Sequence, residues 1–383
     1  MKKSFLVWIA NFFGFYAMAI GNDTTGIKIG SRLTLIGFVD SYYAYDFNQT
    51  THSERGILAN GGSPFYSHTN HNQISINNIL LGARYNSDWL RANVILHAGT
   101  YVQKNYAAEP DYAKYIYEAN AGIRLVKNLW IDAGVFTSHI GLESALSLDN
   151  IVLTRSLSAE NTPYYLSGAK ITYETENKKW LFCGLVLNGW QTIQSFQRPQ
   201  KAFGTQIQFR PSDKLLINSS TFIGPAPIAF VDANGNSTNL KGGDYLQRFL
   251  HNLYATWQVS DQWMLAAAFD LGLQQKTTAD PSMNVWYNPT FWAKVKLNSH
   301  WSINGRLEHY NDKYGIIIPT GTPNHFQATG YSLGLDYSPI EMVALRIEGR
   351  SIYTTDLVFV NQVNGGLSNN CTWFTTSIAA YLR

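Results

Sequence analysis

Charged residues are scarce in this sequence. Asp, Glu, Lys and Arg make up 14% of the 383 residues, whereas a soluble domain usually carries about 25%. The surface of a soluble protein of this size would therefore be short of charge. Aromatic residues also reach 14%, and that much apolar bulk excludes an intrinsically disordered chain.

Long apolar runs are missing as well. Beyond the N-terminus no segment approaches the roughly 18 consecutive apolar residues that a membrane helix requires. At the N-terminus, Lys2 and Lys3 precede a short apolar stretch and the small residues Ala17 and Ala19. This order predicts a secretory signal peptide over residues 1–19, with a buried helix or anchor as the alternative. Its removal would take the formal charge from +3 to +1, so no nucleic-acid partner is expected.

Sequence signals for catalysis are absent too. There is no H-E-x-x-H, C-x-x-C or G-x-S-x-G motif and no phosphate-binding glycine loop, so we predict neither an enzyme nor a cofactor. His68 and His71 could bind a metal, but two histidines in a surface loop are more often solvated, and no metal site is predicted. Cys183 and Cys371 are expected to be unpaired, and the alternative is one disulfide between them.

What the chain does contain is a two-residue alternation of apolar and polar side chains in segments of about ten residues. Between 343 and 353, for example, Arg346, Glu348 and Arg350 alternate with Val343 and Leu345. This is the period of a β-strand with two different faces. The pattern predicts sixteen strands, near 31–45, 72–85, 89–103, 114–126, 129–138, 166–176, 178–190, 202–210, 214–223, 247–259, 261–274, 284–297, 300–312, 328–338, 342–354 and 371–383.

The connections between these strands alternate in length. Tight turns at 86–88, 211–213, 260, 298–299 and 339–341 alternate with long segments at 46–71, 139–165, 224–246 and 313–327. An even number of strands with short turns at one end and long loops at the other is typical of an outer-membrane barrel. The fold prediction is therefore all-β: a single transmembrane antiparallel β-barrel over residues 20–383, with short periplasmic turns and long extracellular loops.

Two further features agree with a barrel. A sheet in a membrane can have no open edge, so the last strand is expected to pair with the first. Tryptophans stand near predicted strand ends, where an amphipathic ring suits the membrane boundary; they are Trp89, Trp130, Trp180, Trp263, Trp301 and Trp373.

The charged side of each strand is assigned to the interior. A barrel of sixteen strands is too wide for its wall side chains to fill, so the lumen should hold water and these charges should stay hydrated. The predicted lumen wall comprises Arg91, Arg124, Asp132, Lys170, Arg210, Arg248, Lys294, Arg306, Glu308, Arg346, Glu348 and Arg350. Basic residues outnumber acidic ones, which predicts a weak anion preference. Pairing between neighbours, such as Arg306 with Glu308 or Arg346 with Glu348, would leave little net field.

The segment 139–165 is longer than an ordinary connection. A loop of that length can fold into the lumen, and Glu143, Asp149, Arg155 and Glu160 are then expected to form a pore constriction opposite the basic wall. The alternative is an outward loop that packs over the rim or against a neighbouring subunit.

The same region resembles a known family. The segments Trp130 to Phe136, His139 to Glu143, Thr154 to Leu157 and Pro163 to Gly168, together with Leu35 to Asn48 in the first strand, resemble the outer-membrane β-barrel porin family called OmpL-like. The resemblance implies a porin-like channel in the outer membrane of a Gram-negative type envelope. It brings no substrate and no catalytic residues.

The predicted function is a water-filled porin for passive diffusion of small hydrophilic solutes, surrounded by outer-membrane lipids. The first alternative is a structural or adhesive barrel that acts through its long extracellular loops. A barrel hydrolase is a weaker alternative, because no catalytic set can be named. Large porins often form trimers, and the sequence leaves a homotrimer open.

Overall fold

Sixteen long antiparallel strands dominate the chain. The computed structural model describes residues 26–48, 53–194, 201–227, 229–231, 237–239 and 245–382, and the predicted signal peptide lies outside them. The strands are β1 Leu33–Asp46, β2 Ile74–Asn86, β3 Leu90–Ala98, β4 Ile116–Val126, β5 Leu129–Thr137, β6 Tyr165–Glu174, β7 Trp180–Leu187, β8 Ala202–Ser212, β9 Leu215–Pro227, β10 Tyr245–Gln258, β11 Trp263–Gln275, β12 Met283–Lys296, β13 Trp301–Asp312, β14 Phe326–Ile340, β15 Val343–Thr354 and β16 Asn370–Leu382. Each strand pairs with the next along the chain.

The sheet closes on itself. β16 pairs with β1 from Leu382 opposite Gly37 to Trp373 opposite Asp46. The first residues of β1 extend past the end of β16, and there the short strand Ile27–Ile29 pairs with them. Closure leaves no long row of unpaired backbone groups at the seam, as a sheet in lipid requires. The prediction of a closed sixteen-stranded barrel is confirmed.

The two ends of the barrel differ in their connections. One end carries the turns 87–89, 127–128, 175–179, 213–214, 259–262, 297–300 and 341–342, and the other carries the longer segments 47–73, 99–115, 138–164, 188–201, 228–244, 276–282, 313–325 and 355–369. The predicted sorting of short turns and long loops is therefore confirmed. Two of the long segments contain short hairpins, Ala229–Val231 with Ser237–Asn239 and Phe359–Asn361 with Gly366–Ser368.

Among the residues that the structure describes, helix occurs only in the long loops. Helix α1, Thr100–Asn105, follows β3, and helix α2, Leu157–Glu160, follows a 3₁₀ turn at Ser147–Asp149. The sequence predicted a strand over 89–103, and its last third, residues 99–103, is wrong. β3 ends at Ala98 and α1 begins at Thr100, and Gly99 between them adopts φ 137°. In the described residues no helix is both long enough and apolar enough to cross a membrane.

The two faces of the sheet have opposite chemistry. On β14 Tyr331, Leu333 and Leu335 are exposed, whereas Ser332 and Asp336 on the opposite face of the strand are buried. The outer face is therefore apolar and the inner face polar, which is the inverse of a soluble protein and typical of a membrane barrel.

Four of the six predicted boundary tryptophans are exposed beside the short turns; they are Trp89, Trp180, Trp263 and Trp301. Trp130 is half-buried, with the Arg91 guanidinium 4.5 Å from its ring. For Trp373 the boundary assignment is wrong, because this side chain is 1% exposed and faces the barrel interior. The strand period puts Trp373 on the inner face, which its position near a strand end does not reveal.

We expect a charge on the apolar face to destabilise the barrel according to depth. Leu333 lies in the middle of β14 and is 68% exposed, so Leu333→Arg should lower the free energy of unfolding by about 2–4 kcal/mol. Ile340→Arg, at the last residue of β14, should cost about 1 kcal/mol or less. Urea unfolding in lipid vesicles measures both. Equal costs would show that this face does not contact a hydrocarbon layer.

Candidate functional site in the barrel interior

Residues 138–164, here called the inner loop, connect β5 to β6 and contact the inner face of distant strands. The backbone N–H of Ser138 donates to the Tyr164 carbonyl at 2.9 Å and closes the base of the loop. From β9, the Ser220 hydroxyl donates to the His139 carbonyl at 2.7 Å. From β10, the Asn252 side chain accepts the Gly141 N–H at 3.1 Å.

The middle of the inner loop is held by charged residues of β13 and β15. The N–H and hydroxyl of Thr154 donate to Glu348 at 2.6 and 2.8 Å. The Leu157 N–H donates to Glu308 at 2.6 Å. Because this part of the loop is largely irregular, its backbone groups would otherwise lack partners.

Arginines of the same wall bind the carbonyl groups. Arg346 donates to Ser147 at 2.6 Å and to Ile151 at 3.0 Å. Arg350 donates to the carbonyl of Arg155 at 2.7 Å. The wall thus supplies donors to loop acceptors and acceptors to loop donors.

These wall charges form a buried network. Arg306 lies 3.2 Å from Glu308, 3.3 Å from Glu348 and 3.7 Å from Glu143 of the inner loop. Arg350 binds Glu308 at 2.5 Å. None of these five residues is more than 6% exposed. The expectation that wall charges stay hydrated is wrong here, because the inner loop displaces water from β13 and β15.

Arg346 does not pair with Glu348, the partner that the sequence analysis considered. Its carboxylate partner is Asp336 on β14, at 2.8 Å, rather than Glu348 on its own strand. Lys294 of β12 binds the same carboxylate at 2.9 Å.

Three of the four residues assigned to the constriction are buried in contacts of the inner loop with itself, with the barrel wall and with the loop after β1. Glu143 accepts the Ser156 N–H at 2.9 Å, and burial raises the pKa of its carboxyl although Arg306 opposes this. Arg155 donates to the Ser144 carbonyl at 3.0 Å. Glu160 accepts the Tyr66 N–H at 3.0 Å. These side chains shape the loop and have little contact with solvent.

Asp149 is the exception, since it is half-buried. One carboxylate oxygen accepts the Ser144 hydroxyl at 3.1 Å, and the other accepts the hydroxyl of Tyr381 on β16. Burial raises the pKa of the Asp149 carboxyl to about 6, against the effect of these hydrogen bonds and of Arg84.

The loop after β1 also contacts the interior. Arg55 donates to the His68 carbonyl at 2.7 Å and stacks on Phe65 and Trp373 at 4.6 and 4.5 Å. Burial lowers the pKa of the Arg55 guanidinium to about 10. The His68 ring contacts Asp40 of β1 at 2.9 Å, so this histidine is buried in a polar cluster rather than solvated.

Solvent reaches the inner face mainly on β2 to β6. Half-buried inward-facing residues are concentrated on these strands, where they lie among buried ones, whereas most inward-facing positions of β7 to β16 are buried. We call these half-buried residues the passage wall; they are Arg84, Arg91, Asn93, Asn120, Gly134, Gly168 and Lys170. Gly134 and Gly168 lie opposite each other on β5 and β6, and an added Cβ would lie 2.1 Å from the Ala119 carbonyl oxygen at Gly134 and 2.0 Å from the Val186 carbonyl oxygen at Gly168, so the neighbouring strands approach closely there.

On the passage wall the cations are more exposed to solvent than the carboxylates. Arg91 binds Asp132 through Nε at 2.6 Å and Nη2 at 2.5 Å, and Lys170 lies directly opposite the same Asp132. Arg84 is 3.6 Å from Glu118. The carboxylates are buried, so the part of the wall that contacts solvent carries positive charge.

The remaining predicted wall residues each contact a neighbouring side chain. The pairs are Arg124 on the ring of Trp89, Arg210 with the amide oxygen of Gln208, and Arg248 with the amide oxygen of Gln274. Arg248 is buried, and Arg124 and Arg210 are half-buried near the short turns.

Sequence reasoning missed three residues of the passage wall. Arg84, Asn93 and Asn120 occupy inward positions of predicted strands, and Asn93 donates to Asn120 at 2.9 Å. The alternation that identified Arg91 also places Asn93 on the inner face, so the signal was present for these residues.

The family of the chain follows from a comparison with family models. The model described as "Putative beta-barrel porin-2, OmpL-like" matches residues 32–382, which is nearly the whole barrel. The chain belongs to this family. A member of a β-barrel porin family is an outer-membrane protein, and this family and fold are those of channels rather than enzymes.

Solved structures show the same fold at low sequence identity. The outer membrane channel DcaP of Acinetobacter baumannii has a TM-score of 0.58 at 10% identity, covering 94% of this chain and 100% of that one. An anion-selective porin from Comamonas acidovorans gives 0.57 at 10%, covering 91% and 99%. The trimer form of OmpT from Vibrio cholerae gives 0.54 at 10%, covering 91% and 99%. A comparison with curated protein sequences finds no match.

We expect the buried carboxylate of Glu308 to be essential for stability. Glu308→Gln removes the counter-charge of Arg306 and Arg350 and weakens the acceptor of the Leu157 N–H, which should cost about 3–5 kcal/mol because a buried cation loses its partner. Urea unfolding measures the cost, and amide hydrogen exchange should quicken around residues 154–158. Glu176→Gln, in an exposed turn, is the matched control and should leave both readouts unchanged.

Asp149 predicts a pH dependence. Its pKa of about 6 in the folded protein exceeds its ordinary value, so the contribution of the neutral carboxyl to stability is complete below about pH 4 and is lost as the pH rises through about 6. Asp149→Asn cannot ionise. The unfolding free energy of wild type relative to Asp149→Asn should therefore fall between pH 4 and pH 7. A difference that is constant over this range would contradict the raised pKa.

Proposed function

We propose that the protein is a porin through which small hydrophilic solutes diffuse between the inner loop and the passage wall. The observation that carries this proposal is the asymmetry of the interior. Half-buried inward-facing residues are concentrated on β2 to β6, where they lie among buried ones, while the inner loop covers β13 and β15. A hydrated path spares a polar solute the cost of losing its water.

The inner loop is the constriction in this proposal, with Asp149 as its solvent-contacting charge. Three other members of the predicted set, Glu143, Arg155 and Glu160, act indirectly by fixing the fold of the loop. A loop fixed by buried hydrogen bonds has one defined position, so it can set the width of a path.

A weak anion preference is the second part of the proposal. Asp132 lies against both Arg91 and Lys170, and Asp336 binds both Arg346 and Lys294. Each of these two carboxylates is thus shared by two cations, which leaves a local positive excess at these two places on the inner face. Charges on a lumen wall tune the selectivity of a barrel.

An adhesive barrel is less well supported. It requires long loops that project outward, yet the inner loop and the loop that contains Arg55 contact the inner wall. A homotrimer remains a prediction, and the similar OmpT fold in a trimer form is consistent with it.

Planar bilayers test the proposal. Purified wild-type protein should give open channels whose reversal potential in a salt gradient is shifted toward anions. Deleting residues 145–160 should raise the single-channel conductance, since it removes most of the loop that fills the interior. An unchanged conductance would contradict the constriction, and a cation-directed potential would contradict the anion preference. A barrel that neither conducts nor swells liposomes in sugar solutions would favour the adhesive alternative.

A further inference from the structure

Two guanidinium groups of the passage wall lie on adjacent strands with an amide between them. Arg84 of β2 is directly opposite Asn93 of β3, and Asn86 is directly opposite Arg91. Directly opposed residues have Cβ atoms about 4.5–5.5 Å apart. Arg91 and Asn93 are two residues apart on one strand, so they face the same side. All three inward side chains are half-buried.

Arg91 is held in place by two residues. Asp132 binds its Nε and Nη2 atoms, and the ring of Trp130 lies 4.5 Å from its central carbon. The contact crosses β4 at Gly122, where an added Cβ would lie 2.0 Å from an Asp132 oxygen. A side chain at that position would block the pair. The remaining N–H groups of Arg91 are therefore presented in a fixed direction.

Arg84 is held much less tightly. Its ion pair with Glu118 spans 3.6 Å, and its side chain is 31% exposed. A guanidinium has five N–H donors. Arg84 thus has donor capacity to spare, beside the positioned Arg91 and the amide of Asn93.

We propose that Arg84, Arg91 and Asn93 form a subsite for the oxyanion group of a small solute, either a carboxylate or a phosphate. This rests on the proposed function as a channel and specifies the anions it passes. Guanidinium forks match the spacing of oxyanion oxygens, whereas chloride cannot use that geometry. Glu118 and Asp132 offset part of the positive charge, which keeps binding weak enough for the solute to leave, as conduction requires.

Competition measurements in bilayers test the subsite. With wild-type channels in potassium chloride, added succinate or phosphate should reduce the chloride current at concentrations where a neutral sugar does not. Arg84→Gln should raise the half-blocking concentration at least about tenfold, since a charge-assisted hydrogen bond contributes about 1.5–3 kcal/mol. Comparing succinate with phosphate shows which oxyanion the subsite prefers.

A second variant distinguishes binding at this subsite from a general effect of positive charge on the barrel wall. Arg210→Gln removes the same charge from the inner face of β8, far from the subsite, and should change the half-blocking concentration less than twofold. Equal changes in the two variants would overturn the subsite, as would equal block by the neutral sugar.

The subsite and the channel can fail separately. If wild type forms no channels, the proposed function fails, and calorimetric titration of the detergent-solubilised protein with succinate and with phosphate tests the subsite directly. Binding that Arg84→Gln loses and Arg210→Gln keeps would still support it. No binding to wild type, or equal binding to the two variants, would overturn it. The folded state of each variant is checked beforehand by its resistance to unfolding in detergent.

Discussion

Pairing of every backbone N–H and C=O group that faces lipid is the constraint on which the rest of this structure depends. Hydrocarbon offers no hydrogen bonds, so the sheet must close, and β16 meets β1 to do so. Closure fixes an apolar outside and a polar inside. It also encloses more space than the inward side chains of sixteen strands can fill. The inner loop and the two kinds of wall charge are both arranged around that enclosed space.

The inner loop fills much of the space by combining two groups that would each be costly alone. Arg306 and Arg350 are buried charges, which are destabilising unless they are paired and hydrogen-bonded. Irregular loop backbone inside a barrel has donors and acceptors without regular partners. Glu308 satisfies both needs, since it accepts the Leu157 N–H and binds both arginines. The loop is thus held largely by hydrogen bonds and ion pairs. Each partner lowers the free-energy cost of burying the other.

The strands and their faces could be predicted because they depend on local sequence. Alternation between 343 and 353 correctly placed Arg346, Glu348 and Arg350 on the inner face. It could not show what covers that face, because water and a distant loop require the same polar side chains. For that reason the burial of these residues, and the burial of Arg55 and Trp373 against each other, were missed. The error at 89–103 is of another kind, since the apolar pattern continues past Ala98, where the strand ends and helix α1 follows from Thr100.

Charges with the same chemistry therefore have two different roles in one wall. Arg350 binds Glu308 at 2.5 Å with both side chains fully buried, whereas Arg84 is 3.6 Å from Glu118 and 31% exposed. A buried pair cannot exchange its partner without leaving a bare charge behind, so it stabilises the loop and contributes little to a passing ion. A loosely held, solvated guanidinium can exchange its partner at small cost. Because the first kind is concentrated on β13 and β15, whereas the loosely held Arg84 lies on β2, stability and selectivity depend on different strands. Substitutions on the passage wall can then alter which solutes pass without loosening the inner loop.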